Sequence, residues 1–169
     1  TNGVTPRRWL LLANPALSRA ITDVIGDGWT TDFDKIAGLR PAAEDAAFCR
    51  SFLQAKRDAK ARFADWLKST SGQAVDPDSI FDCQIKRIHE YKRQLLNILE
   101  TIALYNDIKA QPTRDFVPRV KIFAGKAAAS YHQAKLIIKL ANDVANVVNN
   151  DPAARGLLRI VFLPNYNVS

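Results

Sequence analysis

The sequence is poor in the residues that mark several classes of protein. Its 169 residues include only two cysteines, Cys49 and Cys83, which excludes a small secreted scaffold held together by disulfides and favours a reducing, cytoplasmic compartment. Seven glycines and eight prolines exclude collagen-like and low-complexity chains. No apolar run approaches the length that crosses a bilayer, because the longest candidate is interrupted by Lys135 and Lys139. No membrane association is therefore expected.

What the sequence does contain is the composition of a folded domain with an excess of positive charge. Hydrophobic residues make up 47% of the chain and charged residues 24%, which exclude disorder. The net charge of +7 gives a modest attraction for anions such as nucleic acid, phosphorylated metabolites or acidic lipid. Since the chain opens at Thr1 without a leader-like segment, and its length suits one domain or a section of a larger one, we expect it to be part of a longer chain.

Residues 1–75 are predicted to form a helical lead-in. Thr5-Pro6 is a typical helix start, and Pro15 ends that helix and begins another that reaches about Ile25. Thr31 and Asp32 are expected to open a short helix through Ile36 and Ala37, and Pro41 is expected to open a long one. The apolar positions of the long helix recur at spacings of three and four, which predicts a buried stripe of Phe48, Phe52, Ala55, Ala59, Phe63, Trp66 and Leu67.

Residues 76–169 are predicted to form a β-α-β-α-β unit with a parallel sheet. Strand composition covers residues 80–85, 117–124 and 157–163, and helical patterns cover residues 89–108 and 129–148. The strands recur roughly every 39 residues, which is typical of helical crossovers between parallel strands. The fold class is therefore α/β, with a parallel sheet preceded by a helical lead-in.

Both predicted crossover helices carry an apolar stripe. Tyr91 lies on the stripe of the first helix, so its ring is expected in the core while its hydroxyl reaches a site. The first stripe is Ile88, Tyr91, Leu95, Ile98, Ile102 and Tyr105, and the second is Ala134, Ile137, Ile138, Ala141, Val144, Ala145 and Val148.

A cluster of cations follows the first predicted strand. Lys86, Arg87, Lys92 and Arg93 fall within eight residues, at the end of a parallel strand where ligands bind in such sheets. Cations in the first turn of a helix oppose its dipole, so the cluster suggests a bound anion. Arginine forks and lysine charges suit phosphate, whereas a solvated basic turn is the plain alternative. His89 is a base, a helix cap or an anion ligand.

Two further strand ends belong to the same predicted edge. Gly125 permits close backbone approach, and Gly125-Lys126 is interpreted as a tight strand-to-helix turn, because the other features of a Walker A loop are absent. The segment from Pro164 to Asn167 suits a ligand-facing loop or an exposed turn. No metal site is expected, because His89 and His132 are far apart and the cysteines lack ligand spacing.

Four segments of the chain are distinctive: TNGVTPRRWL at 1–10, QIKRIHEYKRQLLN at 84–97, IFAGKAA at 122–128 and VFLPNYNVS at 161–169. They resemble signatures of the glycogen, starch and maltodextrin phosphorylases, and the bacterial form most of all. The resemblance covers the whole chain in order. It implies the first, incomplete part of the Rossmann-like C-terminal domain of a GT-B fold, with three layers around a parallel sheet.

The resemblance implies an α-1,4-glucan phosphorylase as the parent enzyme. Such an enzyme transfers glucosyl units from glycogen or maltodextrin to inorganic phosphate, giving α-D-glucose 1-phosphate with retention. Its cofactor is pyridoxal 5′-phosphate, whose phosphate acts as acid and base toward the substrate phosphate. The cofactor lysine is implied to lie outside this chain, so the chain alone is expected to be inactive and to self-associate. The parent is expected to be a cytoplasmic homodimer that binds neither nucleic acid nor membrane.

By the same resemblance, the basic cluster handles two phosphates. Arg87 and Lys92 are implied to bind the substrate phosphate, and Lys86 and Lys92 to neutralise the cofactor phosphate. Fixed cations there would offset the repulsion between the two groups. His89 is implied to pair with an acidic residue of the other domain, which this chain lacks.

The remaining implied roles concern the sugar and the cofactor pocket. Tyr91 would contact the sugar or the phosphate, and Asn2 would bond the glucosyl 6-hydroxyl. Tyr166 would line the cofactor pocket, and Tyr131 would border the entrance to the active site. Asn167 stands where animal relatives have arginine, so no cofactor role is assigned to it.

Two alternatives follow from the residues alone. One is a basic α/β module that binds nucleic acid or phosphorylated ligands, and the other is an inert scaffold whose cluster faces water. The long helix predicted to open at Pro41 carries four cations, Lys56, Arg57, Lys60 and Arg62. If they formed one continuous patch with residues 86–93, the patch would favour nucleic-acid binding, although stacking aromatics are not interleaved with these cations.

Overall fold

The structure, a computed structural model, describes residues 5–166. The chain divides into two compact units, one reaching Thr70 and the other starting at Ser71. This boundary precedes residue 75, where the predicted lead-in ends, and the domain assignment itself stays a prediction. Asn2 and Asn167, which the sequence singled out, lie outside the described residues.

The first unit is helical, as predicted. Its α-helices are α1 (Pro6–Ala13), α2 (Pro15–Ile25) and α3 (Ala46–Ser71). Two 3₁₀ segments, Asp27–Thr30 and Phe33–Glu44, connect α2 to α3.

The predicted starts of α1 and α2 are confirmed, and the caps explain them. The Thr5 side chain accepts a hydrogen bond from the Arg8 amide, and the Asn14 side chain accepts one from the Leu17 amide. A proline follows each cap, where its missing N–H costs nothing and its fixed φ suits the helix. The proline and cap together therefore begin each helix.

The expectation that Pro41 opens the long helix is wrong. Pro41 lies inside the second 3₁₀ segment, and α3 begins only at Ala46. Asp45 provides the start signal, because its side chain accepts a hydrogen bond of 2.8 Å from the Ala47 amide.

The predicted stripe of α3 is buried only in part. Ala55 and Leu67 are buried, whereas Phe52 and Trp66 are exposed. The 26 residues of α3 extend over about 39 Å at 1.5 Å per residue. Helix α2 has 11 residues and is less than half as long, so it is too short to bury the whole stripe of α3. The core of this unit is centred on the fully buried Trp29, whose indole N–H donates to the Thr22 hydroxyl.

The second unit is the predicted β-α-β-α-β fold. Its elements are β1 (Ile80–Ile85), α4 (Gln94–Ala110), β2 (Arg119–Gly125), α5 (His132–Asn150) and β3 (Leu158–Pro164). The strands are parallel and lie in the order β1-β2-β3, with β2 central. The α/β class and the parallel sheet are confirmed.

Both crossover helices pack against one face of this sheet. The register aligns Gln84, Phe123 and Phe162 across the three strands, and that face meets α4 and α5 in one apolar core with Ile98 and Ile137. The described elements of this unit thus form two of the three expected layers, namely the sheet and the helices on one of its faces. The finer assignment to a GT-B, Rossmann-like domain stays a prediction.

The first crossover helix differs from its prediction. It begins at Gln94 rather than His89, because a 3₁₀ turn at Glu90–Lys92 and a left-handed Arg93, with φ of 61°, precede it. This break shifts the helical periodicity, so Tyr91 is 71% exposed and its predicted core position is wrong.

Leu95, which was predicted to be buried, lies on the exposed face of α4. The rest of the predicted stripe faces the core, since Ile88 and Ile98 are buried and Ile102 and Tyr105 pack against the core while partly buried. The buried residues of α4 are Gln94, Ile98, Thr101 and Ile108. The predicted stripe of α5 is confirmed, with Ala134, Ile137, Ala141, Ala145 and Val148 all buried.

Residues 5–166 contain neither a helix long and apolar enough to cross a bilayer nor a cluster of metal-ligating side chains. Cys49 and Cys83 are thiols and do not form a disulfide.

A polar cluster joins the end of α4 to the turn before β3. Tyr105 donates a hydrogen bond to the Asp151 carboxylate, the Ala153 amide donates to it at 2.9 Å, and the Lys109 ammonium lies 3.1 Å away. These partners, the Tyr105 hydroxyl above all, lower the pKa of Asp151 from 3.8 to about 2.

This cluster predicts a loss of stability in acid. The unfolded chain takes up a proton at Asp151 near its ordinary pKa of 3.8, before the folded chain does. The stabilisation is therefore complete above that pH and is lost as the pH falls toward 2. In urea unfolding at pH 5 and pH 2.5, Asp151→Asn should show a smaller pH dependence than the wild type.

Asp143→Asn is the matched control, since within residues 5–166 that exposed carboxylate pairs only with Lys139 on the same helix. An equal pH dependence in the wild type and Asp151→Asn would show that the cluster does not act in this way.

Candidate functional site

The cation cluster forms a loop, residues 86–93, at the carboxyl edge of the sheet; we call it the basic loop. The ladder between β1 and β2 continues into it. The Lys86 amide donates to the Ala124 carbonyl at 3.0 Å, and the Ile88 amide donates to the Lys126 carbonyl at 3.1 Å. Ile88 is buried in the core under α4 and α5. The start of the basic loop is thus fixed against the end of β2.

Gly125 permits this close approach, as the sequence predicted. A Cβ atom at Gly125 would lie 2.2 Å from the Lys86 carbonyl oxygen and 3.1 Å from the Ile88 side chain. No side chain fits at the first distance, and the neighbour is backbone that cannot swing away. Glycine is therefore required for its lack of a Cβ atom.

A buried glutamine that the sequence analysis did not single out holds the middle of the loop. Gln94 is 1% exposed and is the first residue of α4. Its side-chain nitrogen donates to the Arg87 carbonyl at 3.1 Å, and its side-chain oxygen accepts from the His89 amide at 3.4 Å. Both polar atoms of the amide are thereby satisfied, and the backbone between Arg87 and His89 is closed into a turn.

A second amide holds the end of the loop. The Gln84 side chain on β1 donates to the Lys92 carbonyl at 2.8 Å. Its oxygen accepts from the Asn97 side chain on α4 at 3.0 Å. Strand β1 and helix α4 therefore both position Lys92.

Beneath these amides lies a buried ammonium group. Lys121 in central strand β2 is 2% exposed, and its Nζ bonds Asp82, Glu100 and, at 3.0 Å, the Asn97 oxygen. The signal for it was present in the sequence, since Lys121 is the only charged residue among residues 120–125, which are otherwise apolar. Strand register then supplies the partner, because Asp82 on β1 is paired with Lys121.

The cations of the basic loop have no carboxylate partner within the described part of the chain. Lys86, Arg87 and Arg93 are exposed and Lys92 is half-buried. No ion pair among residues 5–166 involves any of the four. The Lys92 ammonium instead lies 5.3 Å from the centre of the Tyr91 ring. Their charge is left to solvent or to a bound anion.

The expected place of these cations within a helix is wrong. They precede α4 rather than occupying its first turn, because the helix begins at Gln94. These cations therefore oppose the dipole of α4 less than expected, and it is their charge at a strand end, without an ion-pair partner among residues 5–166, that favours a bound anion.

Aromatic rings surround His89. Its ring centroid lies 4.1 Å from that of Tyr91 and 4.9 Å from that of Tyr131. His89 Nδ1 accepts from the Tyr91 amide at 3.4 Å, which caps the 3₁₀ turn and leaves Nε2 as the other polar atom of the ring. Of the three roles considered for His89 (base, helix cap and anion ligand), the structure shows the helix cap.

Tyr131 ties the second crossover to the loop. Its hydroxyl donates to the Glu90 carboxylate at 2.6 Å and accepts from the Glu90 amide at 3.3 Å. The bond to the carboxylate is the main cause that raises the pKa of Tyr131 above its ordinary value of 10.0.

Tyr166 lies just beyond β3, at the same edge of the sheet. The register pairs Pro164 with Gly125, so the ends of β2 and β3 are adjacent. Among residues 5–166, however, Tyr166 forms no hydrogen bond or ring contact with the basic loop. The structure thus brings together Lys86, Arg87, His89, Tyr91 and Lys92, and leaves Tyr166 at their edge.

Gly125→Ala should destabilise the second unit. The added Cβ forces apart the Gly125 and Lys86 backbones, and overpacking of this kind costs about 1–3 kcal/mol. Chemical denaturation measures the change. Gly28→Ala is the control, because its Cβ would meet only the flexible end of Lys35. Equal stability of the two variants would contradict the close approach.

Glu90→Gln should lower the pKa of Tyr131 toward its ordinary value. The neutral amide no longer favours the protonated phenol as the carboxylate does. Titration of ¹³C-labelled tyrosine by NMR would resolve Tyr131 from the other three tyrosines. An unchanged Tyr131 pKa would mean that the Glu90 bond is absent in solution. Asp143→Asn is the control for a general effect of a lost negative charge, and it should leave the Tyr131 pKa unchanged.

Comparison with known proteins places the chain in a family. The family model described as carbohydrate phosphorylase matches residues 1–169. The chain is 52% identical over 168 residues to a glycogen phosphorylase of Synechocystis sp., covering 99% of this chain and 20% of that protein. It is 50% identical to a glycogen phosphorylase of Haemophilus influenzae, covering all of this chain and 21% of that protein. With the human muscle form it shares 48% identity, again over the whole chain and 20% of that protein.

The chain spans about a fifth of the length of the curated relatives it matches. Because bacterial and mammalian relatives are about equally similar to it, the resemblance to the bacterial form in particular stays a prediction. The family itself is settled by the match over every residue, and the chain belongs to the carbohydrate phosphorylases.

Proposed function

We propose that the basic loop binds phosphate in an α-1,4-glucan phosphorylase. The parent enzyme is a glycosyltransferase of glycogen breakdown that transfers glucosyl units to inorganic phosphate, giving α-D-glucose 1-phosphate. The observation that carries this proposal is that Lys86, Arg87 and Lys92, at the carboxyl edge of the sheet, have no ion-pair partner among residues 5–166 in a chain of this family. Relatives named glycogen phosphorylase support glycogen as the glucan. They give no support to the alternative of a nucleic-acid module.

The loop's side chains suit a doubly charged oxyanion. The planar guanidinium of Arg87 can bond two phosphate oxygens at once, and the ammonium of Lys92 adds a compact charge. Glu90, the acidic residue of the loop, has its carboxylate bonded by Tyr131. In this proposal Arg87 and Lys92 hold the substrate phosphate, and no ion pair within residues 5–166 has to break for them to do so.

A second phosphate, from pyridoxal 5′-phosphate, fits the same edge of the sheet. Lys86 and Lys92 offer two ammonium groups without carboxylate partners among the described residues, and Tyr166 follows the end of the adjacent strand. When bound, this cofactor supplies a phosphate group that exchanges a proton with the substrate phosphate. The chain's own cations would keep both phosphates charged and adjacent, since each positive charge lowers the repulsion between them.

The sugar would lie on the exposed side of the loop. The Tyr91 ring is 71% exposed and can cover a sugar face or reach a phosphate with its hydroxyl. His89 Nε2 is left for a polar partner, because Nδ1 already accepts a hydrogen bond. We propose that Asn2 bonds the glucosyl 6-hydroxyl. A homodimeric, cytoplasmic parent and an inactive isolated chain are parts of the same proposal.

Arg87→Ala and Lys92→Ala should each lower the rate of phosphorolysis by about 30- to 1000-fold in the full-length protein that carries this chain. Each variant loses a charge-assisted contact of about 2–4 kcal/mol. The thermal midpoint should change little, because neither cation has an ion-pair partner among residues 5–166. The measurement is release of glucose 1-phosphate from glycogen at saturating phosphate and at low phosphate.

Arg155→Ala is the matched control, since Arg155 is an exposed arginine in the turn before β3, at the opposite end of that strand. Activity of Arg87→Ala and Lys92→Ala equal to that of the control would remove the loop from the proposed site.

A further inference from the structure

We propose that the buried Lys121 is a positioning residue for the phosphate site. Through Asn97 and Gln84 its ammonium group fixes the backbone carbonyl of Lys92. This inference depends on the proposed function, because it assigns Lys121 an effect on phosphate binding by Lys92. We call the chain of bonds from Lys121 through Asn97 and Gln84 to Lys92 the amide relay.

The direction of every bond in the amide relay is determined by its two ends. An ammonium group only donates, so Asn97 must turn its oxygen toward Lys121. Its nitrogen then faces Gln84, which must present its oxygen there. The nitrogen of Gln84 is left to donate, and it meets the Lys92 carbonyl, which only accepts. The bonds measure 3.0, 3.0 and 2.8 Å.

The start of the relay is rigid. Lys121 lies in the central strand, and its ammonium group is held by the carboxylates of Asp82 on β1 and Glu100 on α4. Both carboxylates accept hydrogen bonds from this ammonium group, which offsets the cost of burying its charge. An ammonium group has no acceptor lone pair, so Asn97 has no reason to flip.

The end of the relay lies where the loop is least regular. The Lys92 carbonyl is part of the peptide plane shared with Arg93, whose φ of 61° is left-handed. Non-glycine residues rarely adopt that conformation without outside support. With the Gln84 bond in place, the 3₁₀ turn that carries Tyr91 and Lys92 is fixed just before α4 begins. Without it, that peptide plane can rotate and carry the Lys92 ammonium away from the phosphate.

Asn97→Asp tests the relay with almost no change of shape. The carboxylate still accepts from Lys121, but it cannot donate to Gln84. Gln84 must then flip, which places its oxygen against the Lys92 carbonyl oxygen. In the full-length protein that carries this chain, the KM for inorganic phosphate should rise about tenfold, the equivalent of one hydrogen bond. The KM for glycogen and the thermal midpoint should stay close to wild type.

Two further variants separate the relay from other effects. Leu96→Asp adds the same charge at the neighbouring, exposed residue of α4 and should leave the KM for phosphate near wild type. Gln84→Met removes the last link without adding charge and should raise that KM as Asn97→Asp does. The relay is supported if Asn97→Asp and Gln84→Met raise the KM for phosphate by similar factors while Leu96→Asp leaves it unchanged.

The relay is overturned if Asn97→Asp matches the wild type or Leu96→Asp in its KM for phosphate, or if only its thermal midpoint falls. Failure of the proposed function is a different result, in which Arg87→Ala also leaves activity unchanged. Loss of activity in Arg87→Ala with an unchanged KM in Asn97→Asp rejects the relay alone.

Discussion

The hydrogen-bonded ladder between β1 and β2 does not stop where the strands end, and the candidate site depends on that continuation. Two further backbone bonds carry the ladder to Ile88, so the basic loop starts as an extension of the sheet. Gly125 is the condition for it, because any side chain there would meet the Lys86 carbonyl. The cations are consequently displayed from a fixed backbone rather than from a freely moving turn, which lowers the entropy lost when an anion binds.

Polar side chains beneath the loop complete this arrangement. Gln94 and Gln84 are placed where an apolar side chain would pack more simply, and Lys121 is a buried charge whose desolvation is costly. Each has its hydrogen bonds satisfied by groups of the loop or of the neighbouring elements. A polar network with every member paired holds one geometry more strictly than dispersion contacts do, because bond direction as well as distance is fixed. In the second unit, these paired polar side chains therefore hold the basic loop in one conformation.

Much of the fold could be predicted because its signals are local. The caps before Pro6 and Pro15, and the alternation of apolar strands with striped helices, each depend on residues a few positions apart. The start of α4 could not be read in this way. Arg93 adopts a left-handed conformation that its own sequence does not favour, and the amide bonds of Gln84 and Gln94 hold the backbone around it.

The order of the elements, the positive charge at the end of the first parallel strand and the family could all be read from residue types and their spacing. Which of those residues meet in space depends on how the second unit packs. The exposed ring of Tyr91, the bond from Tyr131 to Glu90 across 41 residues and the partners of Lys121 follow from strand register and from the start of α4. The reason is physical: a hydrogen bond requires two groups within about 3 Å, and for residues far apart in the chain that distance is set by packing of the whole unit.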